Sequence, residues 1–318
     1  MKRRRLLVLA LAGSPALRQA ARAQAKPAHR VSMLFATGPL PEHAGFDEGM
    51  RALGYGRELV VERRYAEGRL ERLPELAGEL VRLKVDAIVT SSTPAALAAR
   101  DATTSIAIVL AVAGDALGSG LVKSLAHPGG NITGLSFFAP EVIAKSLEFL
   151  KQAVPGATRI AFVGGSAFPP ERLAYLRLQA IAPGLGVRVE LADISAPASA
   201  DAMFASLVAN PPDALVVSQA AFGVYAARVL ELARLRPAAF GSREGAEQGG
   251  LLAYGPNRSE LFRRAAGYVD KVLKGAKPGE LPIEQPTRFE LIVNLKAAQA
   301  LHVAVPRSLL LRADEVIE

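Results

Sequence analysis

Cysteine is absent from the 318 residues. Its absence excludes disulfides, thiolate metal sites, a cysteine nucleophile and a lipid anchor on an N-terminal cysteine. Histidine is scarce. His29, His43, His127 and His302 lie far apart, and none has a second histidine at helical metal-ligand spacing. The chain also lacks a G-x-x-x-x-G-K-[ST] phosphate loop, a G-x-S-x-G nucleophile elbow and an H-E-x-x-H pair. Gly118-Ser119-Gly120 has no third glycine and does not directly follow a strand pattern, so it is no dinucleotide fingerprint. These absences point away from an enzyme and from any metal or cofactor.

Acidic residues are missing from the first 23 positions, and this shapes the charge argument. Lys2 to Arg5 are basic, Leu6 to Ala12 are apolar, and Ala21-Arg22-Ala23 has the small-x-small form that signal peptidases read. Seven apolar residues fall well short of the ~20 that span a bilayer as a helix. Residues 1–23 are therefore expected to be a signal peptide, with Sec and twin-arginine export both open. The whole chain carries +8; its 38 basic residues less the leader's six leave 32 against 30 acidic, or +2. The remaining charges are interspersed, which speaks against nucleic acid as a partner. No later stretch is long and apolar enough to cross a membrane. The expectation is a periplasmic, soluble, monomeric protein with no lipid anchor.

What is present is a repeated alternation of short apolar runs and longer amphipathic ones. Strand patterns fall at 30–35, 59–65, 86–90 and 106–112, with helical patterns at 46–53, 70–84 and 94–101 between them. The same order restarts after residue 140. Strands are expected at 159–163, 187–193, 214–218 and 238–240, among helices near 140–153, 170–182, 199–209 and 221–235. Runs apolar on both faces and separated by helices imply parallel sheets covered on both sides. The fold class is thus α/β, with two doubly wound parallel-sheet lobes. A third segment follows: a strand at 251–254, an amphipathic helix at 257–274, extended or hairpin structure at 282–293 and a last helix at 295–301. Its position after two complete units implies a return to the first lobe and a hinge crossed several times. The expected lobes are 28–136 with 252–280, and 137–251 with 281–318.

In such sheets ligands lie beyond the carboxyl ends of strands, beside helix N-termini. In the first lobe that rule selects Thr37, the Ser91-Ser92-Thr93 loop before Pro94, and Gly114-Asp115. The hydroxyls and N–H groups at Ser91–Thr93 suit a carboxylate, or Ser92 or Thr93 is a helix N-cap, or one residue does both. Asp115 is either an ammonium acceptor or a solvated cap. In the second lobe the same rule selects Ser166, Ser218, Gln219 and Arg243. Phe222 and Tyr225 follow and could stack on a ligand ring, although core packing of that helix is the stronger expectation. Tyr254 and Asn257 sit at an expected lobe crossing, where they line the cleft or brace the hinge.

Several ordered stretches carry a family resemblance: AEGRLERLPELAGELVRLKVDAIV (66–89), SSTPAALAARDATTSIAIV (91–109), GDALGSGLVKSLAHPGGNITGLS (114–136), GSREGAEQGGLLAYGPN (241–257) and the end from 286. With them the chain resembles the ABC transporter substrate-binding family often called TrpX-like. The resemblance implies the periplasmic-binding-protein type I fold, hinged closure on a small organic ligand, an amino acid or other carboxylate, and a partner permease with its ATPase. It also implies that Ser91-Ser92-Thr93 holds a ligand carboxylate. Gly164-Gly165-Ser166-Ala167-Phe168 departs from the N-P-x-N-like loop frequent in the family, and the segment after Ser218 is alanine-rich where polar or acidic side chains are common. The alternative reading is a sensory protein of the same fold that signals to a membrane receptor.

Overall fold

The protein is described from a computed structural model, which covers residues 29–137, 139–195 and 197–318. The leader expected at 1–23 lies outside the described residues.

Five parallel strands make the first sheet: β1 (His29–Phe35), β2 (Leu59–Tyr65), β3 (Ala87–Thr90), β4 (Ala107–Ala113) and β5 (Ile132–Ser136), in the order β2-β1-β3-β4-β5. Period-two alternation divides their side chains between two cores. Val31, Met33, Phe35, Val89 and Val109 face α1 (Ala44–Ala52) and a helix from the far end of the chain, α9 (Arg258–Leu273). Leu34, Ile88, Ile108 and Leu110 face α2 (Leu73–Arg82) and α3 (Thr93–Ala102). The strand β5 has no counterpart in the expected pattern. Its centre is Gly134, at φ +120°, where a Cβ would stand 2.3 Å from the Leu110 carbonyl oxygen. The register between β4 and β5 shifts there. A bulge that only glycine accommodates breaks the apolar run by which strands are recognised.

Seven strands make the second sheet: β6 (Arg159–Gly164), β7 (Arg188–Asp193), β8 (Ala214–Val217), β9 (Ala238–Phe240), β10 (Leu252–Gly255), β11 (Glu290–Asn294) and β12 (Glu315–Ile317). Their order is β12-β11-β10-β9-β8-β6-β7, parallel except where β11 runs against β10. One face packs on α4 (Ala139–Ala153) and α5 (Pro169–Ile181), the other on α6 (Pro197–Ala209), α7 (Gln219–Ala233) and the short α8 (Arg243–Glu247). The chain is therefore α/β, with two doubly wound lobes built around mainly parallel sheets.

The chain crosses between lobes three times: at Phe137, after β10, and between Glu284 and β11. Two expected boundaries move. Residues 252–255 are not part of the first lobe, because β10 is a central strand of the second sheet, with Leu252 and Ala253 buried between β9 and β11. Residues 281–284 do not join the second lobe. Ile283 donates its N–H to the Leu125 carbonyl (2.7 Å), and Glu284 pairs beside Leu135 of β5. Of the extended or hairpin structure expected over 282–293, the structure shows the extended form: a strap on the first sheet followed by β11. The return to the first lobe is made by α9, whose buried stripe holds Leu261, Phe262, Ala265, Tyr268 and Val269.

Candidate functional site

Strand ends from both lobes meet around one cavity of about 460 Å³. From the first lobe come Thr37 after β1, Ser91–Pro94 after β3 and Gly114 after β4; from the second come Ala167–Glu171 after β6, Gln219 and Ala220 after β8, and Gly241 after β9. Unpaired backbone groups collect at such ends, which makes them natural ligand sites. Most of the lining is apolar, including Leu70, Leu73, Leu97, Val112, Val142 and Ile143. The lobes touch at the rim. A Cβ on Gly223 of α7 would stand 2.4 Å from Thr37 Cγ2, and Val224 packs beside Gly68. The helix α7 departs from helical geometry at Tyr225, right behind that contact.

Hydroxyls and a helix start dominate the first-lobe wall. Ser92 caps α3 by accepting from the Ala95 N–H (3.3 Å), and Thr93 Oγ1 accepts from the Gly114 N–H (3.2 Å). Both bonds use oxygen lone pairs and leave the hydroxyl hydrogens free to donate. Ser91 is nearly buried beside them. Arg258, the first residue of α9, reaches the cavity edge while its Nε donates to Glu42 (2.9 Å). Glu42 keeps its second oxygen, Oε2, buried without a partner among the described residues. The free hydroxyl hydrogens and the start of α3 suit this wall to an anion; Asp101, on the same lining, is taken up by Arg100 (2.8 Å).

Acceptors dominate the opposite wall. Glu171, in the first turn of α5, is buried and has its carboxyl pushed up to about 7 by desolvation, against hydrogen bonds from the Gly165 N–H, the Ser218 hydroxyl and the Ala220 N–H. Nearby Asp193 raises it further. Gln219 lines the same cavity, and its Oε1 is buried without a hydrogen-bond partner among the described residues. Glu171 has no ion pair among the described residues. A cationic donor placed here would satisfy both side chains. The two walls therefore present opposite polarity across an apolar chamber.

A family model of ABC transporter substrate binding proteins matches residues 37–317. The chain belongs to this family. A tyrosine-binding protein of Clostridioides difficile (strain R20291) is 28% identical over 266 residues, which are 81% of this chain and 75% of that protein. Two solved structures share the fold, each 24% identical and covering 91% of this chain and 99% of its own. One is a conserved domain protein from Vibrio cholerae (TM-score 0.82), and the other is an ABC domain in complex with L-Trp from Streptococcus pneumonia (TM-score 0.81).

Within this substrate-binding protein, six of the residues expected from strand ends line the cavity: Thr37, Ser91, Ser92, Thr93, Gly114 and Gln219. Five do not. Asp115, at φ +98°, accepts from the Gly118 N–H (2.8 Å) and is spent on a turn. Ser166 donates to Asp193, whose carboxyl, despite the burial that would raise it, is held near 2 by hydroxyl and backbone donors from Ser166 and Ser195. Ser218 is 1% exposed, caps α7 through the Ala221 N–H (3.1 Å) and supports Glu171 from behind. Arg243 pairs with Glu315 (2.6 Å) and Glu290 (3.6 Å) in a smaller pocket near the second crossing. Tyr254 stacks on Phe289 (5.9 Å between centroids) on the hinge side. Asn257 caps α9 through the Glu260 N–H (3.0 Å). Phe222 packs on Phe240 and Tyr225 on Phe204, so both serve the core.

Glu171 and Arg258 were not among the expected site residues. Glu171 lies a few residues beyond the end of β6, after Pro169-Pro170 in the helix. Its one local sign is a lone acid in the first helical turn after a strand-end loop. Arg258 gives no local sign, because it reaches the cavity only through the return of α9 to the first lobe.

Proposed function

We propose that this chain is the extracytoplasmic receptor of an ABC importer, and that it captures an α-amino acid with a large apolar side chain. The carboxylate lies on the Ser91–Thr93 wall, the ammonium group on Glu171 and Gln219, and the side chain along the aliphatic lining. The observation that carries this reading is the opposed polarity of the two walls around an apolar cavity of about 460 Å³. A zwitterion with an apolar tail satisfies both walls at once, whereas a sugar would leave the aliphatic lining without a partner. The tyrosine-binding relative and the L-Trp complex support the same ligand class.

The lobes close over the ligand by rotation about the three crossings, and the closed form docks on a permease with its ATPase. Residues 1–23 direct export. The ligand leaves unaltered, as the substrate-binding family of the chain supports.

Thermal unfolding of the protein without residues 1–23 tests the ligand class. Tyrosine, tryptophan, phenylalanine and leucine at a hundredfold excess over Kd are expected to stabilise it by about 2.7 kcal/mol. Phenylpropionate, lacking the ammonium group, and phenethylamine, lacking the carboxylate, are expected to do much less. Equal stabilisation by phenylpropionate and phenylalanine would sink the two-wall reading.

A further inference from the structure

A second cavity, of about 380 Å³, opens beside the three lobe crossings. Phe137 and Val142 line both this cavity and the main one. Two side chains therefore stand between the spaces. Phe137 belongs to the first crossing, where its N–H donates to the Ala113 carbonyl (3.0 Å) and fixes the backbone that carries the ring. Val142 is held on α4, with 7% of its surface exposed.

The hinge-side cavity has its own chemistry. Tyr254 and Phe289 stack against each other at 5.9 Å and 27°. Glu141, Lys145 and Gln285 add charged and polar groups to the lining. An aromatic lining with polar groups suits an elongated aryl or aryl-ether group, because stacked rings favour flat apolar partners. In the main cavity the polar groups anchor the ligand head, so the tail runs along the apolar lining, to which Phe137 and Val142 belong.

We infer that the hinge-side cavity is a latent subsite for the far end of a long ligand tail, and that Phe137, with Val142, is the partition that sets the upper limit on ligand length. This inference rests on the amino-acid reading of the main cavity. Removing the Phe137 ring joins the two spaces without touching the groups that hold the ligand head. The joined space admits tails that the wild-type partition excludes.

The test is calorimetric titration of wild type, Phe137→Ala and Val142→Ala with phenylalanine, tyrosine, O-methyltyrosine and O-benzyltyrosine. Wild type is expected to bind the short members and to reject O-benzyltyrosine. In Phe137→Ala the affinity ratio of O-benzyltyrosine to tyrosine is expected to rise at least tenfold. Adding Phe289→Ala to that variant is expected to take back most of the gain, which a merely loosened fold would not show. If Phe137→Ala does not fold, Val142→Ala opens the same partition from α4 and is expected to raise the ratio severalfold. An unchanged ratio in the folded variants, with tyrosine still bound, would overturn the partition. Failure of wild type to bind any short amino acid would instead overturn the ligand class, and this inference with it.

Discussion

Glu171 is the residue whose ionisation the ligand would control. Its carboxyl stands at about 7 because burial outweighs the donors that favour the anion. A ligand ammonium needs the charged form, so binding would release a proton wherever the free protein holds one. Affinity is expected to climb up to about tenfold per pH unit as pH rises toward 7 and to flatten above it. Glu171→Gln should weaken binding and remove that slope, as titrations at pH 5.5, 6.5 and 7.5 would read. The ligand-free protein should show the opposite trend. A carboxyl raised from 4.5 to about 7 by folding contributes stability that is fully present below 4.5 and lost as pH passes through 7. Arg258 is a second such point. It pairs with Glu42, whose side chain is 1% exposed, so Arg258→Ala would leave a buried, uncompensated carboxylate. The expected loss is roughly 3–5 kcal/mol in denaturant unfolding, with partial recovery in Arg258→Ala/Glu42→Gln.

At the scale of elements, α3 combines structural and binding roles in its first turn. Ser92 caps the helix and Thr93 ties it to Gly114, so Ser92→Ala with Thr93→Ala is expected to cost about 1 kcal/mol for each lost bond. The same pair should weaken an amino-acid ligand by more than stability alone explains, and titration of the folded variant separates the two effects. Much of the element pattern was legible from apolar periodicity, since a buried parallel strand and an amphipathic helix are both local signals. The strands that the apolar pattern does not mark, Ile132–Ser136 and Glu315–Ile317, are short, and the first is interrupted by Gly134. Pairing with neighbours distant in sequence makes them strands. Ser166 and Asp115 show the converse: both stand at strand ends, but Ser166 is occupied by Asp193 at the end of β7 and Asp115 by the turn to Gly118.

For the whole molecule, the contact between Gly223 and Thr37 makes closure testable. Gly223→Ala should favour α7 locally, since alanine exceeds glycine in helix propensity by about 1 kcal/mol. The added methyl also meets Thr37 Cγ2 at 2.4 Å only when the lobes are together. The expected result is an unfolding temperature equal to or above that of wild type with ligand affinity reduced severalfold. Small-angle scattering with saturating ligand should show a smaller decrease in radius of gyration than in wild type. Affinity equal to wild type would mean that the rim does not need to close.

The sequence alone determined the two α/β lobes, the absence of recognised catalytic motifs, and the strand-end loops at Thr37, Ser91–Thr93, Gly114 and Gln219, because these follow from local periodicity and from the chemistry of helix starts. Only the tertiary structure decided which of those loops face a common space. It also decided that Glu171 and Arg258 belong with them and that Phe137 divides one cavity from another. The reason is physical: residues 37, 92, 137, 171, 219 and 258 become neighbours through three chain crossings, and the burial and pairing that set their chemistry exist only after the lobes meet.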